Sequence, residues 1–297
     1  MVRVYRASTD GVTGPQLGAS IAMMQNAEHP FVEHMLDFYA RTAATYDSWD
    51  SGAHERAAAR CADLCECKPG TRALDLGCGT GLVTRRLAAA IPEGHVVGVD
   101  ISAEMLRQAQ QHSAAATFLH MDARDLYLQN DSFDLLTMCQ VLAYQVHPQR
   151  VLAECARVLR TGGRLLVCSQ QRSLSTAAEQ LFFRRLDAFA ATGFRIPRPP
   201  DHNALLGEAW AITRLLESSG FRVLRTTNLV AGNHTSDASA WIDLMRDAGP
   251  YPHALISVMG ESMRSQLERA LQLTMSAVED GAFRYHRAFT FALAVKR

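Results

Sequence analysis

The sequence predicts an α/β fold: a doubly wound, seven-stranded sheet, mostly parallel with its last strand antiparallel, carrying helical cap insertions. Three observations predict it. The stretch Ala73–Leu87, ALDLGCGTGLVTRRL, runs from a short apolar strand through three glycines at alternate positions straight into a helical pattern. Beyond it, apolar strand-like runs alternate with segments of helical period, joined by short connections, as in an open parallel sheet. Finally, Gly77, Asp100, Asp122, Cys139 and Gln170 all fall at the carboxyl ends of predicted strands, the edge where such sheets bind ligands.

Taken in order, residues 1–30 are interrupted by Gly11, Gly14, Pro15 and Gly18 and read as a flexible lead. Residues 31–297 form the folded domain, opening with cover helices over 31–68. Phe31, Met35, Phe38 and Tyr39 recur at helical spacing, and a second helix lies near His54–Cys65. In the glycine loop, Gly77, Gly79 and Gly81 let the chain turn sharply and let a ligand reach the main chain where a Cβ would block it. The helix that follows, with Val83, Leu87, Ala90 and Ile91 on one face, starts with unpaired N–H groups suited to an anion.

HVVGVD is a second buried strand ending at Asp100, a carboxylate placed to accept both hydroxyls of a ribose. Ser102 caps the next helix, whose Met105, Leu106 and Ala109 face inward. TFLHMDARDL gives a third strand and Asp122; FDLLTMC gives a fourth, central one ending at Cys139. A crossover helix carries Val151, Leu152, Cys155, Val158 and Leu159 as its apolar stripe and is expected to end at Gly162 and Gly163, before a fifth strand, RLLVCS. A first insertion, about 171–204, holds a helix with Leu181, Phe182, Phe183, Leu186 and Phe189, then an extended link at Pro197, Pro199 and Pro200. A helix over Leu205–Ser219 and the strand FRVLRTTNLV follow. The second insertion, about 232–280, includes a helix with Met263, Leu267, Leu271, Met275 and Val278 in register, and RAFTFALAVKR closes the sheet.

Composition narrows the function. Basic and acidic side chains balance at 30 each, which argues against a partner gripped by its phosphates, so no nucleic acid is expected. No apolar run approaches the roughly 20 residues of a membrane span, and the first residues lack the apolar stretch of a secretory signal. Seven cysteines, an odd number scattered through predicted helices and strands, point to reduced thiols and a cytoplasmic setting. Cys61, Cys65 and Cys67 lack C-x-x-C spacing and a nearby histidine, so no metal is expected; Cys61 and Cys65 share a helix face, where buried thiols are common.

The third glycine comes one residue too early for the dinucleotide pattern G-x-G-x-x-G, with Leu82 where that pattern needs glycine. An acidic residue two before the first glycine, Asp75, followed by G-x-G-x-G, resembles motif I of the class I S-adenosylmethionine-dependent methyltransferases. VDISAEMLRQA resembles that family's second motif. The resemblance is strong over about residues 40–170 and looser over 205–230 and the last strand. It implies a Rossmann-like sheet and S-adenosyl-L-methionine as cofactor, held by Tyr46, Asp75, Gly77, Cys78, Gly79, Gly81, Asp100, Ile101, Met105, Asp122, Ala123, Cys139 and Gln140. In this family a Tyr-Asp pair in an N-terminal helical segment often folds over the cofactor, and Tyr46 and Asp47 resemble that pair; packing between helices is the alternative role for Tyr46. The family also implies that Asp122 meets the adenine amine and the Ala123 N–H a ring nitrogen.

Methyl transfer needs positioning above all, because the sulfonium already makes the methyl electrophilic. CQVLAY, after the fourth strand, lacks the Asn/Asp-Pro-Pro-aromatic motif of adenine-modifying DNA enzymes and the paired glutamates of arginine methyltransferases. The chain therefore resembles the small-molecule branch, quinone and natural-product enzymes among them, with the Met- and Phe-bearing insertions expected to roof an apolar or aromatic acceptor; packing of the cap or of a dimer contact is the alternative role for any one of these residues. Candidate bases are His147, beyond the fourth strand, and His202 and His234 in the insertions; Tyr46 is a further catalytic candidate, and His147 before Pro148 also suits a helix start. An RNA or protein acceptor, a non-catalytic cofactor-binding subunit, an NAD-dependent oxidoreductase and a homodimeric assembly stay open at this level.

Overall fold

Strand and helix propensity place the elements, but burial on two faces of one sheet assembles them. The computed structural model describes residues 30–171, 176–191, 206–235, 237–246, 249–277 and 283–297. The expected lead, the 192–205 link with His202, and Val278 lie outside them. The described elements are α1 (Pro30–Thr42), a 3-10 turn (Tyr46–Gly52), α2 (Ala53–Cys65), β1 (Arg72–Leu76), α3 (Leu82–Ala90), β2 (His95–Asp100), α4 (Ala103–His112), β3 (Thr117–His120) and β4 (Phe133–Cys139). There follow a 3-10 turn (Leu142–Tyr144), α5 (Pro148–Val158), β5 (Leu159–Gln171), α6 (Ala177–Ala190), α7 (Ala209–Ser218), β6 (Phe221–Thr235), α8 (Ala238–Arg246), α9 (Pro250–Ser257), α10 (Glu261–Ser276) and β7 (Phe283–Lys296).

The sheet has seven strands in the order β3-β2-β1-β4-β5-β7-β6. The first five pair in parallel, and β7 runs antiparallel to both β5 and β6. The chain reverses its winding between β1 and β4, so their carboxyl ends part and open a crevice. One core cluster lies on each face. Leu74, Leu136, Val151, Leu165 and Ile212 pack under α5 and α7; Leu87, Leu135, Leu166, Cys61 and Phe291 pack under α2 and α3.

Several boundaries differ from the sequence reading. The crossover helix stops at Val158, ahead of the glycines, and β5 already starts at Leu159. Leu159 stays fully buried, so its place in the helical stripe reflected burial rather than helix. Gly162, at φ 73°, lies inside β5 instead of ending the helix. The last two strands are also longer than predicted, because pairing with each other extends both through the polar stretch Gly232–Thr235.

The insertions build a core of their own. Phe182, Leu186 and Phe189 of α6 pack with Trp241, Leu255, Leu267, Leu271, Met275 and Phe283. Helix α6 starts in a capping box: the Thr176 hydroxyl accepts from the Glu179 N–H while the Glu179 carboxylate accepts from the Thr176 N–H, at 3.2 and 2.7 Å. The cap touches the cover helix α1 through the rings of Phe38 and His253, with centroids 5.1 Å apart, and through a His34 contact to the Pro250 carbonyl.

Candidate active site

The glycine loop leaves β1 beneath a cavity of about 980 Å³, counted with the space open to solvent. Gly77 and Gly79 both line it, at φ 69° and 55°, a region that costs side-chain-bearing residues strain. A Cβ on Gly77 would sit 2.3 Å from a Val141 methyl; one on Gly79 would meet nothing within 4 Å and stand in the open space. The loop is therefore a cradle that side chains would fill.

Asp100 ends β2 on the cavity wall. Its carboxylate accepts from the Gly79 and Ser102 N–H groups, each at 2.8 Å, which ties the loop to the start of α4. Burial raises its pKa, while those N–H groups and that of Ile101 pull it back down. Ser102 caps α4 as predicted, accepting from the Met105 N–H at 3.3 Å. Asp122, after β3, faces the same cavity and forms an ion pair with Arg124 at 2.7 Å, with the Arg124 backbone N–H also 2.8 Å away.

Of the residues the sequence singled out, Tyr46, Gly77, Gly79, Asp100, Ile101, Met105, Asp122, Ala123, Cys139 and Gln140 line this one cavity. Three others do not. Asp75 is 1% exposed and sits beneath the loop, where its two oxygens accept the hydroxyls of Thr84 and Thr137 at 2.6 and 2.8 Å. It joins β1, α3 and β4, and burial pushes its pKa up to about 7 against the pull of the two threonines. Cys78 is buried under the loop, and its sulfur would lie 3.0 Å from a Cβ on Gly98 of β2. Gly81 is a packing glycine: a Cβ there would come within 3.3 Å of Ala109 on α4.

The candidate bases divide differently. His147 stands exposed at the start of α5 and is not among the cavity-lining residues; the chain before Pro148 turns it away from the crevice. His202 and the side chain of His234 lie outside the described residues. Nor do the described Phe and Met residues of the insertions line the cavity: they are spent on the cap core, except Met263, which is exposed despite its place in the helical register.

Sequence reading missed a wall of phenols. Tyr39 of α1 and Tyr144 of the second 3-10 turn join Tyr46 there, with ring centroids 6.1 and 6.0 Å from that of Tyr39. Tyr39 scored only as one apolar-face residue of a helix, and nothing local marks Tyr144. Gln140 sits at φ 61°, with its N–H bonded to the Cys168 carbonyl at 2.8 Å, so the chain bends sharply as β4 ends. Behind it, the Cys139 thiol meets those of Cys168 and Cys61. All seven cysteines are free, and among the described residues no group of three or more His, Cys, Asp or Glu could hold a metal ion. No helix among the described residues is long and apolar enough to cross a membrane.

A family model described as a methyltransferase domain matches residues 73–163, from β1 into β5. A demethylmenaquinone methyltransferase of Clavibacter sepedonicus is 31% identical over 181 residues, covering 55% of this chain and 70% of its own length. A malonyl-[acyl-carrier protein] O-methyltransferase of Herminiimonas arsenicoxydans is 29% identical over 260 residues, 77% of this chain and 95% of its own. Other quinone methyltransferases are matched over 49–75% of their own length. A solved structure from Bacillus halodurans, described as a candidate methyltransferase, superposes with a TM-score of 0.55 at 16% identity over 80% of this chain and 98% of its own, a likeness of fold. With the motif order, the crevice at the switch point and these relatives in agreement, this chain belongs to the class I S-adenosylmethionine-dependent methyltransferases and uses S-adenosylmethionine as its methyl donor.

Proposed function

We propose that this enzyme methylates a small-molecule acceptor held against the tyrosine wall of the cavity. One observation carries the reading: a single cavity runs from the glycine loop and Asp100 to Tyr39, Tyr46 and Tyr144, and α1 covers it with Val32, Met35 and Leu36. A lined and covered space suits a small ligand better than a polymer, which needs an open track.

In this reading Asp100 accepts the ribose hydroxyls, Gly77 and Gly79 let the donor lie against the main chain, and Asp122 with the Ala123 N–H meets the adenine. The donor supplies an activated methyl; what the chain supplies is alignment and exclusion of water. Met105, Met121 and Val99 give the cavity apolar surface between its polar ends. The named function of the quinone relatives supports a small acceptor. The cap supports the site indirectly, by bracing α1. His147, exposed and off the cavity, has no part in this reading. Seven free thiols fit a reducing compartment such as the cytoplasm.

The test is to incubate the protein with methyl-tritiated S-adenosylmethionine and a fractionated cell extract. Label in the small-molecule fraction is the expected result. Label confined to RNA or protein would overturn the reading in favour of a macromolecular acceptor.

A further inference from the structure

We infer that the acceptor is a carboxylic acid, methylated on its carboxylate oxygen, with Tyr39 and Tyr144 as the residues that hold that oxygen. The inference rests on the small-molecule methyl-transfer reading above and adds the class of acceptor.

The wall formed by α1 and the two 3-10 turns is rich in phenols. Tyr39 and Tyr144 stand edge to face at 6.1 Å with their hydroxyls hydrogen-bonded, and Tyr46 flanks Tyr39 at 6.0 Å. Burial, then the neighbouring phenols, push the Tyr39 pKa well above its ordinary value, so its hydroxyl keeps its proton near neutral pH. Phenols in that state present protons to an oxygen. They do not take one away.

The surroundings have the same sign. Arg287 of β7, 3% exposed, lies within electrostatic reach of Tyr39 and donates to the Gln170 side chain at the end of β5. Among the described residues lining the cavity, the carboxylates are Asp100 and Asp122, which end β2 and follow β3, and both already accept hydrogen bonds. No histidine is among those lining residues. A protonated phenol or alcohol acceptor, with a pKa of about 10 or more, would need a base there. A carboxylic acid, with a pKa of about 4, arrives ionised and needs none. Hydroxyl donors backed by a buried guanidinium suit that anion.

The step balances without a proton. A lone pair on the carboxylate oxygen forms the new O–CH₃ bond as the donor's S–CH₃ bond breaks, and that bond's electron pair stays on sulfur. One negative and one positive charge vanish together, leaving a methyl ester and a neutral thioether.

The ester bond makes the test specific. Methyl-tritiated donor is incubated with the acidic, organic-soluble fraction of a bacterial lysate and with a panel of aliphatic and aromatic carboxylic acids, and the products are treated with alkali. Label released as volatile methanol supports the inference; organic-soluble label that resists alkali overturns it while leaving small-molecule methylation standing. No label in any fraction, with S-adenosylhomocysteine still binding by calorimetry, overturns both. On the acid that is turned over, Tyr39→Phe and Tyr144→Phe should each lower kcat/KM roughly ten- to a hundredfold, the range for a lost hydrogen bond to a charge. Their S-adenosylhomocysteine affinity should be unchanged, and wild-type kcat/KM should be flat from roughly pH 6 to 9 because the acid is ionised throughout. An ascending limb in that window would reveal a base and overturn the inference.

Discussion

The hydroxyl of Thr80, in the glycine loop, donates to the carboxylate of Asp47, in the turn folded across that loop. Arg85, one turn into α3, reaches the other oxygen of Asp47 with two bonds of 3.3 Å and also pairs with Glu55 on α2. The aromatic neighbour of Asp47, Tyr46, is thereby held on the cavity wall. Thr80→Val should loosen this latch and weaken S-adenosylhomocysteine binding by about 1 kcal/mol, the net value of such a bond at a partly exposed site. Calorimetry showing unchanged affinity would remove the latch from the account of the site.

Asp100→Ala removes the acceptor for the Gly79 and Ser102 N–H groups as well as the proposed ribose contact. A loss of roughly 1–3 kcal/mol in S-adenosylhomocysteine affinity is expected. Asp100→Asn should recover part of it, because the amide keeps one accepting oxygen. If both variants fold and bind like wild type, the ribose assignment fails.

The two loop glycines should behave differently. Gly77→Ala places a Cβ 2.3 Å from Val141 and strains φ, so thermal stability and binding should fall together. A Cβ at Gly79 meets no protein atom within 4 Å yet projects into the cavity, so Gly79→Ala, strained in φ but free of the clash at Gly77, should lose binding with a smaller fall in melting temperature. Equal stability losses in the two would contradict the cradle geometry.

Asp75 makes stability depend on pH. Its folded pKa of about 7 lies above the ordinary carboxylate value, so the folded state holds a proton that the unfolded state has released. Its contribution is therefore fully present below about pH 4 and is lost as pH rises toward 7. Asp75→Asn keeps the shape and cannot ionise. Relative to wild type it should gain on the order of 2 to 3 kcal/mol between pH 5 and 8 in urea unfolding. A difference independent of pH would show that Asp75 is ionised in the fold throughout.

His147→Ala should leave kcat/KM within about threefold and its pH profile unaltered, as a residue away from the reacting atoms would. A lost ascending limb in the profile would return His147 to the site.

Most of the sheet was legible because its signals are local. Apolar runs, a glycine triplet and cap residues such as Ser102 act within one turn or strand, and their order along the chain restricts a parallel sheet to few topologies. The carboxyl-end residues Gly77, Asp100, Asp122 and Cys139 were found for the same reason: strand polarity alone assigns them to one edge. Asp75 looked identical in kind to Asp100, yet one lies under the loop and the other faces the cavity. Alternation within β1 places a residue on one face or the other, but only Thr84 and Thr137, brought from α3 and β4, show what that face meets.

The sequence by itself thus determined the succession of strands and helices, the glycine cradle and, through the family resemblance, the kind of cofactor, since each depends on residues close along the chain. Only the tertiary structure decided the acceptor end. Tyr39, Tyr144 and Arg287 come from a cover helix, a loop after β4 and the penultimate part of the chain, and no periodicity links them. Helical spacing placed Tyr39 on a helix face and left the phenylalanines of the insertions open between roofing the acceptor and packing the cap. Packing decided between those roles: the phenylalanines and Trp241 could bury more apolar surface in a cap core of their own, while α1, pressed between cap and sheet, turned Tyr39 toward the cavity.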